Sequence, residues 1–137
     1  MWIYEKKLQH PVKIAKADPA MAKIIITQLG GPDGELGASM RYLNQRYTMP
    51  DGRVIGILTD VGSEELGHQE MVASIVYQLT RNLTTDEIIA GGFDKYYVDH
   101  GAGIFPASAS GVPFNAMAIA SKEDPLASIH EDLAAEQ

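Results

Sequence analysis

The residues with the clearest chemistry in this 137-residue chain are Glu65 and His68, in Glu-x-x-His spacing. On a helix that spacing puts a carboxylate and an imidazole one turn apart on one face, where they can bind a single metal ion or pair with each other. Both fall in an apolar seam. Positions 54, 58, 61, 65, 68, 72, 75 and 79 alternate steps of four and three, and the other six are Val54, Leu58, Val61, Val72, Ile75 and Leu79. Desolvating a carboxylate and an imidazole inside such a seam is costly unless something compensates. A bound metal ion compensates well. A hydrogen bond between the two, or to another buried partner, also does so, and for so short a pattern taken alone that is the plainer reading.

Other side chains extend the pattern. Glu35 opens a helix that carries Tyr42 seven residues later, and Glu136 continues the series Leu126, Ile129, Leu133 at steps of three and four. Individually, each has an ordinary explanation. Glu35 is a first-turn acid favoured by the helix dipole, Tyr42 a core aromatic, and Glu136 a solvated residue near a chain end. Asp99-His100 places an acid beside an imidazole in a loop, where such a pair is usually solvated.

These residues need helices to position them. Residues 1–17 read as an extended arm, with Trp2, Ile3 and Tyr4 apolar and β-favouring, that packs on a neighbouring element or another subunit. Asp18-Pro19 starts a helix with a capping Asp and a Pro at the first helical position. Gly30 to Gly34 should break it. Helix resumes near Pro32 and runs to Tyr47, with Leu36, Met40, Leu43 and Tyr47 as its apolar stripe. After the turn at Met49-Pro50-Asp51-Gly52, a central helix runs to about Arg81. Thr84 to Ala90 forms a short capped helix. Residues 93–124 are rich in Gly, Pro, Ser and aromatics and read as a long irregular crossover. Asp124-Pro125 starts the last helix. Long helices with a heptad-like seam predict an all-α bundle.

Composition narrows the function. A net charge of −7 argues against a nucleic-acid backbone as partner. No apolar run is long enough to span a membrane, and Met1-Trp-Ile-Tyr-Glu-Lys-Lys has no apolar core of a secretory signal. With no cysteine, any metal must be held by carboxylates and imidazoles, a donor set that suits manganese, non-haem iron or, less often, zinc.

Together the pieces form an ordered series: a Glu on one helix, Glu-x-x-His on the next, a crossover, then a Glu on a third. Ferritin-like dimetal proteins use a Glu from each of two helices and a Glu-x-x-His from each of the other two. Gly30-Gly-Pro-Asp-Gly-Glu-Leu36 and Thr59-Asp-Val-Gly-Ser-Glu-Glu-Leu-Gly-His-Gln-Glu-Met-Val72 resemble the manganese catalases. Met1-Trp-Ile-Tyr-Glu-Lys-Lys-Leu, Leu79-Thr-Arg-Asn-Leu-Thr, Ser110-Gly-Val-Pro-Phe and His130-Glu-Asp-Leu-Ala-Ala-Glu-Gln resemble the CotJC-type spore-coat branch more closely still. The resemblance spans the whole chain. It implies one ferritin-like domain over residues 1–137, with three of the four bundle helices present. It implies two manganese ions: Glu35 and His68 as ligands of the first, Glu65 as the bridge and Glu136 as a ligand of the second. Glu65 and Tyr42 are then the catalytic residues, with Tyr42 orienting a ligand. The implied reaction is disproportionation of hydrogen peroxide to water and oxygen, by a homo-oligomer located in the cytoplasm or the spore coat, where other coat proteins are partners.

The chain departs from that pattern at its end. The fourth helix of the family carries another Glu-x-x-His, and neither His10, His100 nor His130 matches it. C-terminal truncation is the simplest account; a shortened coat protein or a site completed by another chain are others. The sequence therefore predicts little catalase turnover by this chain alone. Alternatives are a structural coat component with a vestigial site, a di-iron ferritin-like oxidase, and a metal-free bundle in which Glu65 and His68 are a structural pair.

Overall fold

The computed structural model describes residues 3–98, 103–119 and 124–137, so Trp2 and the Asp99-His100 pair lie outside the described residues. Local signals set the helix limits. α1 (Pro19–Gly30) is capped by Asp18, whose side chain accepts from the Met21 N–H. A glycine-rich corner follows, and α2 (Glu35–Gln45) begins directly after Gly34, ending in a single 3₁₀ turn, Arg46–Thr48. α3 (Gly52–Thr80) is capped by Asp51. Its 29 residues make it roughly 44 Å long at about 1.5 Å per residue. α4 (Thr85–Ala90) starts with a reciprocal capping box between Thr84 and Glu87. α5 (Pro125–Ala135) repeats the Asp-Pro start, with Asp124 accepting from the Ala127 N–H.

The crossover lacks helical period, as expected, yet it is not featureless. β1 (Tyr97–Val98) pairs antiparallel with β2 (Gly103–Ile104) in the register Tyr97–Ile104 and Val98–Gly103. Strands of two residues leave too little alternation to be read from sequence.

α3 is the axis of the molecule, with α1 and α2 packed along it and α5 against α2. Its two ends serve different cores. Val76 and Leu79 join Ala22, Ile26 and Leu29 of α1 and Phe93, Tyr96 and Ala107 of the crossover. Leu58, flanked by Val54, joins Ala38 and Tyr42 of α2 and Met49, with Ile129 of α5 packed against them. The stretch between the two cores carries Glu65 and His68, so the polar pair sits where apolar packing is interrupted.

The buried faces differ from the expected stripes. On α3, Val61 is exposed and its neighbour Gly62 is buried. On α2, Tyr47 is 77% exposed, while Ala38, Ser39, Arg41, Tyr42 and Gln45 are buried. On α5, Leu126 and Leu133 are exposed and Ser128 and Asp132 are buried. Where α2 crosses α3 the cause is close approach. α2 and α3 come near enough that the Ser39 hydroxyl donates to the Gly62 carbonyl at 2.6 Å. A Cβ on Gly62 would lie 2.9 Å from Leu43 Cγ. Ser39 and Gly62 occupy the point of contact because a larger residue at Gly62 would meet Leu43. Gly62→Val should therefore destabilise the chain by about 1–3 kcal/mol through overpacking, read as a lower urea midpoint with unchanged slope.

The arm packs on the chain's own α3. Gln78 accepts from the Ile14 N–H at 2.9 Å and donates to the Val12 carbonyl at 2.9 Å, and Arg81 donates to the Ile14 carbonyl at 3.0 Å. Further in, the Tyr4 hydroxyl donates to Glu70 and Gln9 donates to Glu64. Among the described residues no helix is long and apolar enough to cross a membrane.

Candidate metal centre

The site is assembled from the start of α2 and the middle of α3. Glu65 is 5% exposed on α3. His68, one turn later, has Nδ1 at 2.7 Å from Glu65 Oε2. The glycine corner delivers Glu35, the first residue of α2, so that its Oε2 lies 3.8 Å from His68 Nδ1. One ligand atom from each of Glu35, Glu65 and His68 lies within 4.8 Å of the others.

The three groups shift one another's proton affinities. Burial, a hydrogen bond with Glu65 and the charge of Glu65 push the Glu35 carboxyl up to about 7; His68 opposes the rise and Glu136 adds to it. Burial pulls His68 down, but the hydrogen bond and charge of Glu65, with Glu35 and Glu64 adding, outweigh it and the imidazole is raised. The cluster thus gathers more negative charge than its one imidazole offsets, which shifts Glu35 toward its protonated form. Two carboxylates and an imidazole converging from two helices are a hard oxygen-and-nitrogen donor set, which a manganese or iron ion fits. A cation would take the place of the proton that Glu35 holds.

Glu136 stands one step outside this group. It is the residue closing α5, and its carboxylate accepts a hydrogen bond from the Tyr42 hydroxyl. Burial and Glu136 raise the Tyr42 hydroxyl well above its ordinary value. Glu136 is close enough to add to the rise of Glu35. A cleft of about 410 Å³, lined by Thr27, Gln28, Asp33, Glu35, Ala38 and Glu136, opens onto both carboxylates. Among the described residues no second imidazole joins the cluster, since His10 lies exposed on the arm and His130 lies elsewhere on α5.

One turn before Glu136, α5 makes a second polar contact with α2. Gln45 donates to Asp132 at 3.0 Å, with both side chains buried. Arg41, 4% exposed, pairs with Asp33 at 2.9 Å. Burial raises the Asp132 carboxyl, although the Gln45 hydrogen bond and the Arg41 charge oppose it. The α2–α5 contact therefore runs as a polar ladder from Gln45–Asp132 to Tyr42–Glu136. Gln45 and Asp132 escaped the sequence reading. The one trace they leave is spacing: Gln45 is three residues after Tyr42, and Asp132 is four before Glu136. Glu64 was missed as well, although it stands four residues before His68 and its Oε1 lies 3.9 Å from His68 Nε2.

Residues 1–137 match the family described as manganese containing catalase. The chain belongs to that family. Protein CotJC of Bacillus subtilis is 53% identical over 137 residues, covering all of this chain and 72% of CotJC. A probable manganese catalase of Clostridium acetobutylicum is 32% identical, covering all of this chain and 62% of that protein. In structure, the manganese catalase KatB from Anabaena superposes with a TM-score of 0.87 at 27% identity, over 99% of this chain and 61% of KatB. The chain thus spans about three fifths of the length of those two catalases. The ferritin-like helical fold expected from the ligand series is the fold this manganese catalase likeness carries.

Proposed function

We propose that this chain is a manganese-catalase-type dimetal protein that disproportionates hydrogen peroxide to water and oxygen once an imidazole for the second ion, which no described residue supplies, is provided. The observation that carries the reading is the convergence of Glu35, Glu65 and His68 between two apolar cores, in a chain matched end to end by the manganese catalase family. In this reading Glu35 and His68 would hold one manganese, Glu65 would serve both ions, and Glu136 would serve the second. The metal pair, when bound, supplies the two-electron change by which one peroxide is reduced to water and another oxidised to oxygen. The chain's own residues bind and orient. Tyr42 donates its hydroxyl proton to Glu136 and so fixes which carboxylate oxygen is left for the metal. The cleft beside Glu35 and Glu136 admits a molecule as small as peroxide.

A second reading, a spore-coat component that keeps the metal site, draws on the 53% identity to Protein CotJC against 32–33% to proteins named manganese catalase. In either role we expect a homo-oligomer, with the exposed Ile57, Leu126 and Leu133 as apolar surface for association.

The test is elemental analysis of the protein purified without added metal, followed by oxygen release from peroxide. Bound manganese with manganese-dependent oxygen release carries the reading. Bound manganese without turnover moves the assignment to the coat component. Bound iron moves it to a ferritin-like oxidase, and a chain that takes up neither metal overturns it.

A further inference from the structure

We propose that the N-terminal arm is a working part of the metal centre: Gln9 holds Glu64 beside the outer nitrogen of His68, so that arm docking sets the orientation of the imidazole. Gln9 and Glu64 are positioning residues in this scheme, which rests on His68 being a metal ligand.

The geometry begins with the two faces of the ring. His68 Nδ1 points into the cluster, 2.7 Å from Glu65 and 3.8 Å from Glu35. Nε2 points away, with Glu64 Oε1 at 3.9 Å as its acidic neighbour. An imidazole that ligates through one nitrogen carries its proton on the other, and a carboxylate accepting that proton fixes the tautomer, aims the ring and makes it a better donor to the metal. Glu64, at 3.9 Å, stands just outside hydrogen-bond reach of Nε2 and is the carboxylate that can close on it when Nδ1 ligates.

The Glu64 side chain is 55% exposed, so water competes for its carboxylate. The arm supplies the restraint. Gln9 Nε2 donates to Glu64 Oε1, the oxygen nearest His68, at 3.1 Å. A glycine of α3 lies beside this contact. Gly67 lies inside α3, where glycine costs roughly 1 kcal/mol relative to alanine. A Cβ there would stand 3.0 Å from Gln9 Oε1. Gln9 thus donates through Nε2 to the turn of α3 that presents His68, and its Oε1 lies over Gly67, where an added Cβ would displace it by a few tenths of an ångström. Other arm contacts, Tyr4 with Glu70, the Gln78 bridge to Val12 and Ile14, and Arg81 with Ile14, hold the arm without touching that turn.

Two sites joined in this way must be coupled in both directions. Metal binding at His68 should tighten the arm, and loosening Gln9 should weaken the metal.

The experiment titrates the purified chain with Mn(II) alone, following free Mn(II) by electron paramagnetic resonance. It also measures hydrogen exchange of the arm with and without Mn(II). Glu64→Gln should weaken Mn(II) binding by about tenfold to a hundredfold, and Gln9→Ala by about tenfold. Gly67→Ala should weaken it as well, although alanine favours the helix, which is a separation no loss of fold would produce. In the unsubstituted chain Mn(II) should slow exchange around residues 8–10, and in Glu64→Gln that effect should vanish. Glu70→Ala, which removes the acceptor of Tyr4 only, should keep both wild-type affinity and the Mn(II)-dependent protection. The proposal is overturned if Gln9→Ala and Glu64→Gln bind Mn(II) like the unsubstituted chain, or if arm exchange ignores Mn(II). An unsubstituted chain that binds no Mn(II) overturns the underlying metal reading instead, and this proposal falls with it.

Discussion

Glu65→Gln should strip the protein of its metal while leaving its fold intact. Glu65 is the most buried member of the cluster, 5% exposed, and it is the residue through which the other two meet. It bonds His68 directly and is the hydrogen-bonding partner of Glu35. Glutamine keeps the volume, so no cavity forms, and it keeps a polar atom for His68. What it removes is the negative charge and one of the two oxygen donors. A single supporting residue around a metal is typically worth 10–100-fold in affinity. Loss of a central carboxylate ligand should exceed that range, so we expect at least about a hundredfold weaker Mn(II) binding and no measurable oxygen release. Helix content by circular dichroism should match the unsubstituted chain. Metal analysis and Mn(II) titration decide the matter. A Glu65→Gln protein that purifies with a full complement of metal would show that Glu65 and His68 are a structural pair.

The caps and breaks of this fold are legible in the sequence because they are local. Asp18-Pro19, Asp51, Thr84 with Glu87, and Asp124-Pro125 each satisfy N–H groups within one turn of themselves, so no knowledge of the rest of the chain is required. Glu-x-x-His is legible for the same reason. The buried faces are not, because they depend on how near the neighbouring helix lies. A period of 3.5 chose Val61 over Gly62, yet contact with Leu43 and Ser39 favours the residue with no side chain. The expected stripe of Leu36, Met40, Leu43 and Tyr47 holds in part: the first three are half-buried and Leu43 meets Gly62, but Tyr47 is exposed and the most buried face is the one that turns Tyr42 and Gln45 toward the acids of α5. Gln45 and Asp132 lie 87 residues apart, and nothing in either neighbourhood announces the other. Glu35 falls between these cases. Its first-turn position is explained by the helix dipole alone, and only the fold of the glycine corner against α3 reveals its second use.

Glu35→Gln should move stability and metal affinity in opposite directions. In the folded chain the Glu35 carboxyl is raised from 4.5 to about 7, by burial first and then by Glu65. An acid raised on folding binds more protons in the native state. Its favourable contribution is fully present below about 4.5 and is lost as pH rises through about 7. Above that, the metal-free protein must hold Glu35 ionised beside Glu65. Each tenfold change in proton affinity between the folded and unfolded chain is worth about 1.4 kcal/mol. The Glu35 side chain is 25% exposed, so water offsets part of the penalty and about 1–2 kcal/mol is the expected strain at pH 8. Glutamine removes it. Urea unfolding in a chelator should therefore find Glu35→Gln more stable than the unsubstituted chain by that amount at pH 8, with little difference at pH 5. Adding Mn(II) should reverse the order at pH 8. At a hundred times the dissociation constant, binding stabilises the unsubstituted chain by about 2.7 kcal/mol, while the substituted one, lacking a donor, gains far less. A Glu35→Gln chain that is less stable at pH 8 without metal would mean that Glu35 serves the fold. The crossover would mean that the start of α2 holds a strained acid because a cation relieves the strain.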